Sequence, residues 1–225
     1  MQNHAGISKR LSRLGVLTMA KKVWDAEEKL QYERALMAKG YRYIAGVDEV
    51  GRGPLAGPVV CAAVIMPIEE ADLIVGVDDS KKLSAKKREQ LSELIKEKAI
   101  AYSVYEVSEQ IIDEINILEA TKLGMKMALL SLPVVPDMVL TDGNMTLDIT
   151  LPQYSIVKGD ALSYSIGAAS IVAKVHRDAM MDEYAKLYPA YAFDSNKGYG
   201  TAAHIQAIKE QGLCPIHRRT FTKNF

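Results

Sequence analysis

The chain has 225 residues, of which 48% are hydrophobic, so it is long and apolar enough for one large domain or one domain with an appendage. The 28 basic and 28 acidic residues leave no formal net charge, so overall charge does not indicate nucleic-acid binding, and any such surface must come from local clustering. No uninterrupted apolar run reaches the length of a membrane span, which excludes a helical membrane protein.

The N-terminus lacks a secretory signal, because residues 1–13 are polar and mixed rather than basic and then apolar. The two cysteines, Cys61 and Cys214, cannot form a disulfide framework, and Cys61 lies in an apolar strand pattern typical of a core thiol. A cytoplasmic protein is therefore expected.

Residues 1–40 are predicted to form a helical N-terminal extension that packs on a domain formed by residues 41–225. Apolar side chains such as Trp24 and Leu30 recur among lysines and glutamates, and Gly40 is a plausible C-terminal stop. The extension contains no recognisable catalytic pattern.

The stretch 46–60, GVDEVGRGPLAGPVV, joins two apolar runs through a turn rich in glycine and proline. Residues 44–47 and 59–66 are predicted as buried strands, so Asp48 and Glu49 lie at the end of the first. An isolated acidic pair is usually a solvated turn. Burying carboxylates without a partner is costly, however, so acids that end a buried strand indicate a metal or a strong set of donors.

A polar loop over 78–84 precedes a helix predicted over 85–100, with Ser84 as its N-cap. Lys81, Lys82 and further basic residues cluster near the start of this helix. Cations are unfavourable there, so the cluster either is simply solvated or binds an anion, and spacing alone does not separate the two interpretations.

The rest of the chain alternates strands and helices. The predicted elements are a strand over 101–107, helices over 109–114 and 117–130 separated by Asn116, strands over 138–141 and 153–157, a long helix over 163–184, an aromatic loop over 188–200, a helix over 202–211 and a basic tail at 217–219. The early strands joined by a short turn favour an antiparallel hairpin, and the later helix-separated strands favour parallel additions.

Three predicted strand ends carry acids: Asp48 with Glu49, Asp142, and Asp160. Sites in open α/β sheets form outside the carboxyl ends of strands, and four carboxylates gathered there repel each other unless divalent cations neutralise them. Oxygen ligands favour Mg²⁺ or Mn²⁺, and two such ions about 3.5–4 Å apart can support phosphoryl displacement. Because successive strand residues face opposite sides, Asp48 and Glu49 can share a site only if the strand frays or bends, which Gly51 permits. Asp48 is expected to be a central ligand that bridges both ions.

Several segments resemble, in the same order, those of bacterial ribonuclease HII, the type 2 ribonuclease H. They are GVDEVGRGPLAGPVV at 46–60, DSKKLS at 79–84, DGN at 142–144, KGD at 158–160, AASIVAKV at 168–175 and KGYGT at 197–201. The resemblance covers roughly residues 42–221 and is highly specific.

This resemblance implies an α/β, ribonuclease H-like fold: a mixed five-stranded sheet with helices on both faces, plus N-terminal and C-terminal helical segments. It implies an endonuclease that hydrolyses the RNA strand of RNA–DNA hybrids and cuts on the 5′ side of single ribonucleotides embedded in duplex DNA. The products would carry 3′-hydroxyl and 5′-phosphate ends, and the role would be removal of misincorporated ribonucleotides. A monomer with no membrane partner is expected.

The resemblance also carries catalytic and metal-binding roles onto four acids. They are Asp48, Glu49, Asp142 and Asp160. The implied cofactor is a divalent metal, Mg²⁺ or Mn²⁺, with two ions in the catalytic complex.

Six further residues are assigned to substrate binding by the same resemblance. They are Gly51, Arg52, Gly53, Ser80, Lys81 and Tyr199. The glycine-flanked arginine segment would read a 2′-hydroxyl through its backbone, and this hydroxyl is the group that distinguishes RNA from DNA. The serine and lysine would contact the substrate backbone, and the tyrosine would pack on the neighbouring sugar.

The chain departs from the family's pattern at Gly167, where alanine is usual, at Ala192, where glycine is common, and at Thr220, where serine is usual. It also stops soon after the last matching segment, so a C-terminal helix seen in relatives is expected to be missing. These departures touch none of the four acids.

The residues alone leave three other functions to be considered. A type 3 ribonuclease H would carry a substantial N-terminal binding domain, for which residues 1–40 are short. A nucleic-acid-binding module that has lost catalysis is disfavoured because all four acids are present. A metal-dependent phosphatase would turn over small phosphoesters without any preference for a duplex.

Overall fold

The computed structural model describes residues 24–224. The helices are α1 (Ala26–Met37), α2 (Ala85–Lys98), α3 (Glu109–Leu130), α4 (Gly159–Leu162), α5 (Tyr164–Leu187), α6 (Phe193–Asn196) and α7 (Ala202–Gln211). The strands are β1 (Ile44–Val50), β2 (Val59–Ile65), β3 (Ala101–Val107), β4 (Met138–Asp142) and β5 (Gln153–Ile156). Short 3₁₀ turns lie at Glu70–Asp72, Ser80–Lys82 and Pro189–Tyr191.

The strands form one mixed sheet in the order β3-β2-β1-β4-β5. The β1, β2 and β3 strands pair antiparallel in succession, whereas β4 pairs parallel with both β1 and β5. This arrangement confirms the predicted early hairpin and later parallel additions. It also brings the C-terminal ends of β1, β4 and β5 to the same edge of the sheet.

Helices cover both faces of the sheet, as predicted. The α5 helix crosses β1 so closely that a Cβ built on Gly46 would lie 2.1 Å from the carbonyl carbon of Ser165. On the other face, Met125 and Ala128 of α3 pack in one buried cluster with Cys61, which is a free, buried thiol. The close approach of α5 matters for the site, because this helix supports the edge where β1 ends.

Polar residues begin the helices at the predicted positions. The side chains of Ser84, Ser108, Ser163 and Thr201 each accept a hydrogen bond from the backbone N–H three residues further on. Such caps satisfy N–H groups that have no partner within the helix. The predicted interruption at Asn116 is also present, because its φ of 68° breaks α3 into two helical parts.

Fraying, one of the two conditions under which Asp48 and Glu49 could share a site, is absent, because β1 stays paired with β2 as far as Val50, although its pairing with β4 ends at Val47. One expectation about the strand ends is wrong. The β5 strand ends at Ile156, and Asp160 therefore lies not at a strand end but in the one-turn helix α4. A left-handed residue, Lys158 with a φ of 60°, makes the turn between them.

The helix predicted in the N-terminal extension is confirmed for α1, and residues 1–23 of the extension lie outside the described residues. Leu30 of α1 is fully buried in the main core cluster. Across residues 24–224, no helix is long and apolar enough to cross a membrane.

Candidate active site

Four carboxylates gather at the edge of the sheet where β1 and β4 end. Asp48 and Glu49 lie near the end of β1, Asp142 is the last residue of β4, and Asp160 lies in the first turn of α4. Asp48 and Asp160 are buried, and the other two are half-buried. The structure thus brings the four acids of the sequence prediction to one edge.

Asp48 and Glu49 have different polar neighbours, because consecutive residues of an intact strand face opposite sides. Asp48 hydrogen-bonds with the hydroxyl of Ser170 on α5, whereas Oε1 of Glu49 lies 3.5 Å from a guanidinium nitrogen of Arg52. Burial raises the pKa of Asp48 well above its ordinary value, and the charge of Glu49 raises it further. Burial also raises the pKa of Glu49, and Arg52 opposes that shift.

Asp142 is the neighbour that the other three acids share. Burial is the largest cause of the raised pKa of Asp48, Glu49 and Asp160, and the charge of Asp142 adds to the shift in all three. Oδ1 of Asp142 accepts a 2.6 Å hydrogen bond from the N–H of Gly159, which fixes the end of β4 against α4. The prediction that Asp48 bridges two ions stays a prediction.

The donor set of this edge fits a hard divalent cation. All four side chains offer carboxylate oxygens, which suit Mg²⁺ and Mn²⁺. A cation would relieve the repulsion that, after burial, helps to raise the pKa values of Asp48, Glu49 and Asp160. Over residues 24–224, no three His, Cys, Asp or Glu side chains stand in an arrangement that already forms a metal cage. The acids therefore interact through their charges rather than through a preformed coordination shell.

Lys81 and Ser80 lie beside the acids in the 3₁₀ turn before α2. The amino group of Lys81 is 3.8 Å from Oδ2 of Asp160, and its side chain is 79% exposed. Partial burial lowers the pKa of Lys81, but the acids around it, led by Asp160 and Asp48, outweigh burial and raise the pKa overall. Ser80 is buried, and its hydroxyl oxygen lies 3.0 Å from that of Ser170.

The segment Gly51–Arg52–Gly53 forms the turn that follows β1. Gly51 has a φ of 93°, and a Cβ there would lie 2.2 Å from Nε of Arg177, so only glycine fits. A Cβ built on Gly53 would lie 3.6 Å from Cε1 of Tyr199, which places the ring of this half-exposed tyrosine against the turn. The structure thus brings together two segments that lie far apart in the sequence.

Two fully buried arginines hold the longer turn over 51–58 that contains this segment, and the sequence prediction assigned neither of them a site role. Arg218 donates to the carbonyl oxygens of Gly51 at 2.5 Å and Arg52 at 2.9 Å, and it also binds the carbonyl of Gly57. Burial, and then repulsion from Arg177, lower the pKa of Arg218 to about 9, so it remains charged at neutral pH.

The prediction of a basic tail at 217–219 is therefore wrong for Arg218, because this residue is fully buried. Arg177 donates to the carbonyls of Pro58 at 3.0 Å, Ala56 at 3.1 Å and Lys197 at 2.9 Å. No local sequence pattern marks Arg218 as buried, because its partners lie more than 160 positions earlier in the chain.

A pair of buried histidines, His204 and His217, lies next to the backbone of Tyr199. Nε2 of His204 faces Nε2 of His217, and Nδ1 of His204 lies 2.9 Å from the carbonyl oxygen of Tyr199. Burial lowers the pKa of His204 and lowers that of His217 to about 4. The ring of His204 supports the backbone of Tyr199, and His217 in turn holds the ring of His204.

The strand order and the carboxylates gathered where β1 and β4 end define a nuclease with the ribonuclease H-like fold. The ribonuclease HII family model matches residues 45–224. The chain belongs to this family, and it is accordingly a metal-dependent endoribonuclease that acts on the RNA of RNA–DNA hybrids.

Curated relatives agree with this assignment. The chain is 54% identical to ribonuclease HII of Enterococcus faecalis over 201 residues, which cover 89% of this chain and 78% of that protein. It is 54% identical to ribonuclease HII of Caldicellulosiruptor saccharolyticus over 198 residues, which cover 88% and 96% of the two chains.

Solved structures show the same fold. Ribonuclease H2 from Pyrococcus horikoshii OT3 superposes with a TM-score of 0.68 at 28% identity, covering 81% of this chain and 96% of that one. The RNase HII in the PCNA complex from Archaeoglobus fulgidus gives a TM-score of 0.70 at 26% identity, covering 81% and 95%. Bst-RNase HIII in complex with Mn²⁺ has a TM-score of 0.56 at 20% identity over 76% and 63% of the chains, which shows similarity of fold alone.

Proposed function

We propose that this enzyme, beyond hydrolysing RNA in RNA–DNA hybrids, cuts duplex DNA on the 5′ side of a single embedded ribonucleotide. The products carry 3′-hydroxyl and 5′-phosphate ends, and the activity removes misincorporated ribonucleotides. The enzyme works as a monomer on one duplex, which light scattering in solution tests directly.

The observation that carries this proposal is the contact between the turn at Gly53 and the ring of Tyr199, directly after the strand that carries Asp48 and Glu49. A turn that reads one 2′-hydroxyl and a ring that packs on the next sugar together select a junction from RNA to DNA. A 2′-hydroxyl on that next sugar fits poorly against the ring, so deoxyribose is preferred there.

The orientation of the turn supports a backbone reading of the 2′-hydroxyl. The carbonyls of Gly51 and Arg52 point inward to Arg218. Because C=O and N–H point to opposite sides of a trans peptide, the N–H groups of Arg52 and Gly53 then face outward. Arg52 and Gly53 are exposed, so these donors are available to a ribonucleotide and its phosphates.

Asp48, Glu49, Asp142 and Asp160 hold the divalent ions in this proposal. When bound, two Mg²⁺ or Mn²⁺ ions supply charge neutralisation and an activated water for in-line displacement at phosphorus. The chain's own contribution is to keep the four carboxylates on one edge, with Gly159 fixing Asp142 through its N–H.

Ser80 and Lys81 contact the substrate backbone next to the acids. The ammonium group of Lys81 is mostly exposed and lies close to Asp160, so a phosphate that enters the site meets a cation on that side. This contact positions the strand and carries no sequence information, because every nucleotide has the same phosphate.

The test is a cleavage assay on a labelled DNA duplex with one ribonucleotide, beside an all-RNA strand paired with DNA. We expect both substrates to be cut with Mg²⁺ or Mn²⁺, neither with EDTA, and cleavage to return when the metal is restored. Mapping the ends against size standards should place the cut on the 5′ side of the ribonucleotide. Cleavage of the hybrid alone would refute the junction proposal, and full activity in EDTA would refute the metal mechanism.

A further inference from the structure

Two loops on the α5 side of the site carry three of the proposed functional residues. One loop runs over 77–82 and contains Ser80 and Lys81. The other runs over 157–163, between β5 and α5, and includes the one-turn helix α4 with Asp160. At the surface the two loops meet through the ammonium group of Lys81 and the carboxylate of Asp160, 3.8 Å apart. In the interior, the same two loops are joined by a residue of α1.

That residue is Lys29, whose side chain is only 7% exposed. Its amino group donates to Oδ1 of Asp78 at 2.7 Å and to the carbonyl oxygen of Ala161 at 2.5 Å. Asp78 lies two positions before Ser80, and Ala161 directly follows Asp160. Lysines are almost never buried unless they are paired, and the partners of this lysine lie one on each loop, so it links the two loops.

Two more residues of the same segment bind the same loops. Glu33, one turn after Lys29, is fully buried, and its Oε1 accepts hydrogen bonds from the hydroxyl of Ser163 at 2.6 Å and the N–H of Ser165 at 2.9 Å. These contacts fix the point where α4 passes into α5. On the other side, Nε1–H of Trp24 donates to the carbonyl of Val77 at 2.8 Å, where the first loop begins.

We propose that Lys29, supported by Glu33 and Trp24, is a positioning residue that sets the spacing of Asp160 and the Ser80–Lys81 turn. The family model matches residues 45–224, so α1 lies outside the segment that this model covers. The inference rests on the proposed function, because it takes Asp160 to be a metal ligand. Lys29 acts through Asp78 and Ala161 and touches neither metal nor substrate.

The expected effect is a loss of metal affinity rather than a loss of the chemical step. Residues that support metal ligands from behind typically change metal affinity or activity by about 10–100-fold when they are replaced. The substitution Lys29→Met keeps most of the buried stem and removes the amino group. We expect it to raise the Mn²⁺ dissociation constant of the substrate-free protein roughly tenfold.

Calorimetric titration of Mn²⁺ into the substrate-free protein measures this effect without any turnover. In cleavage assays, the half-saturating Mn²⁺ concentration should rise with the dissociation constant, and kcat should recover at saturating Mn²⁺. A purely structural role for Lys29 would instead lower the melting temperature and leave both Mn²⁺ values at those of the wild type. That second outcome would overturn the proposal.

Two further variants keep the test decisive. Arg34→Met removes an exposed cation of the same helix, which pairs with Glu27 at the surface, and it should leave Mn²⁺ binding unchanged. If Lys29→Met does not fold, the double variant Lys29→Met/Asp78→Asn leaves no charge of this pair buried without its partner, and it should show the same loss of Mn²⁺ affinity.

Failure of this inference is distinguishable from failure of the proposed function. Asp160→Asn should weaken Mn²⁺ binding if Asp160 is a ligand, whatever Lys29 does. Unchanged Mn²⁺ binding in Asp160→Asn would refute the site assignment itself. Weakened binding in Asp160→Asn with unchanged binding in Lys29→Met would refute only the positioning role of Lys29.

Discussion

Nε2 of His204 and Nε2 of His217 lie 3.0 Å apart, and both side chains are buried. Nδ1 of His204 faces the carbonyl of Tyr199, which can only accept, so this nitrogen carries the proton and Nε2 of His204 accepts. His217 must then donate from its Nε2, while its Nδ1 accepts a 2.9 Å hydrogen bond from the N–H of Cys214. The chain of hydrogen bonds from Cys214 to Tyr199 is complete only when both rings are neutral.

This pair should make the protein less stable in mild acid. Burial lowers the pKa of His204 and that of His217, the latter from 6.5 to about 4. Between these pH values the unfolded chain therefore binds protons that the folded chain does not bind. Stability from the pair is complete above pH 6.5 and is lost as the pH falls from 6.5 towards about 4. His217→Gln can still donate to His204 but does not titrate, so its unfolding free energy should fall less steeply over that range.

Urea unfolding at several pH values, with EDTA present, measures the two slopes. The buried carboxylates with raised pKa values contribute with the opposite sign, but they are common to both proteins. Parallel slopes for wild type and His217→Gln would show that the pair does not carry the acid sensitivity.

Asp142→Asn should nearly abolish cleavage while leaving the fold intact. The change keeps the shape and the oxygen that accepts from Gly159, but it removes the charge of a proposed metal ligand. Charge stabilisation at a metal site is worth several kcal/mol, so we expect a loss of at least about a hundredfold in kcat. Without metal, the melting temperature should hold or rise, because repulsion among the acids falls.

Asp148→Asn is the matched control for this prediction. Asp148 is a fully exposed acid that pairs with Lys126 at the surface, and its amide variant should cut at the wild-type rate. Rates at saturating Mg²⁺ and melting curves in EDTA test both variants. A fully active Asp142→Asn enzyme would place the reaction elsewhere.

Tyr199→Ala should lower the rate of cleavage at a lone ribonucleotide more than the rate of cleavage within an all-RNA strand. The ring lies against the turn at Gly53, and stacking on an aromatic ring is worth ~1–3 kcal/mol, so the preference should shift roughly tenfold. Tyr199→Phe keeps the ring and should keep the preference. Equal losses on both substrates in Tyr199→Ala would mean that the ring merely supports the fold.

Ala192→Gly should stabilise the protein. Ala192 has a φ of 52° and a ψ of 46°, a left-handed conformation that costs a non-glycine residue about 1–2 kcal/mol. Glycine loses part of this gain through its greater freedom in the unfolded chain, so we expect a net gain of about 0.5–1 kcal/mol. Thermal unfolding measures it as a rise of roughly 2–4 °C for each kcal/mol in a protein of this size.

A helical alanine provides the control for that substitution. Ala179 is exposed on α5, where glycine costs about 1 kcal/mol, so Ala179→Gly should lower the melting temperature. A destabilised Ala192→Gly variant would show that other contacts of this residue outweigh its backbone strain.

The sequence predicts the regular elements of this fold well because their signals are local. Ser84 and Ser108 are the N-caps of α2 and α3, Gly212 directly follows the end of α7, and Asn116 interrupts α3. The order of strands and helices predicts the mixed sheet, since a short turn permits only antiparallel pairing.

What the sequence misses depends on contacts between distant segments. Lys29 and Glu33 have the composition of a solvated helix face, yet both are buried because their partners lie on α4 and the loop before α2. Arg218 has the context of a basic tail, and only the folded turn at Gly51 gives it a place in the interior. The position of Asp160 was missed because the left-handed Lys158 ends the extended chain early.

The two buried arginines are partners of the turn over 51–58 that are synthesised long after the turn itself. The turn over 51–58 is made early, but its carbonyls gain their partners only when Arg177 and then Arg218 have been added to the chain. A nascent chain that ends between these two residues already contains all four acids and lacks half of the support for the turn. The turn that we propose to recognise ribose therefore gains its last partner after the four proposed catalytic acids have been synthesised. A chain that ends before Arg218 lacks part of the support of that turn.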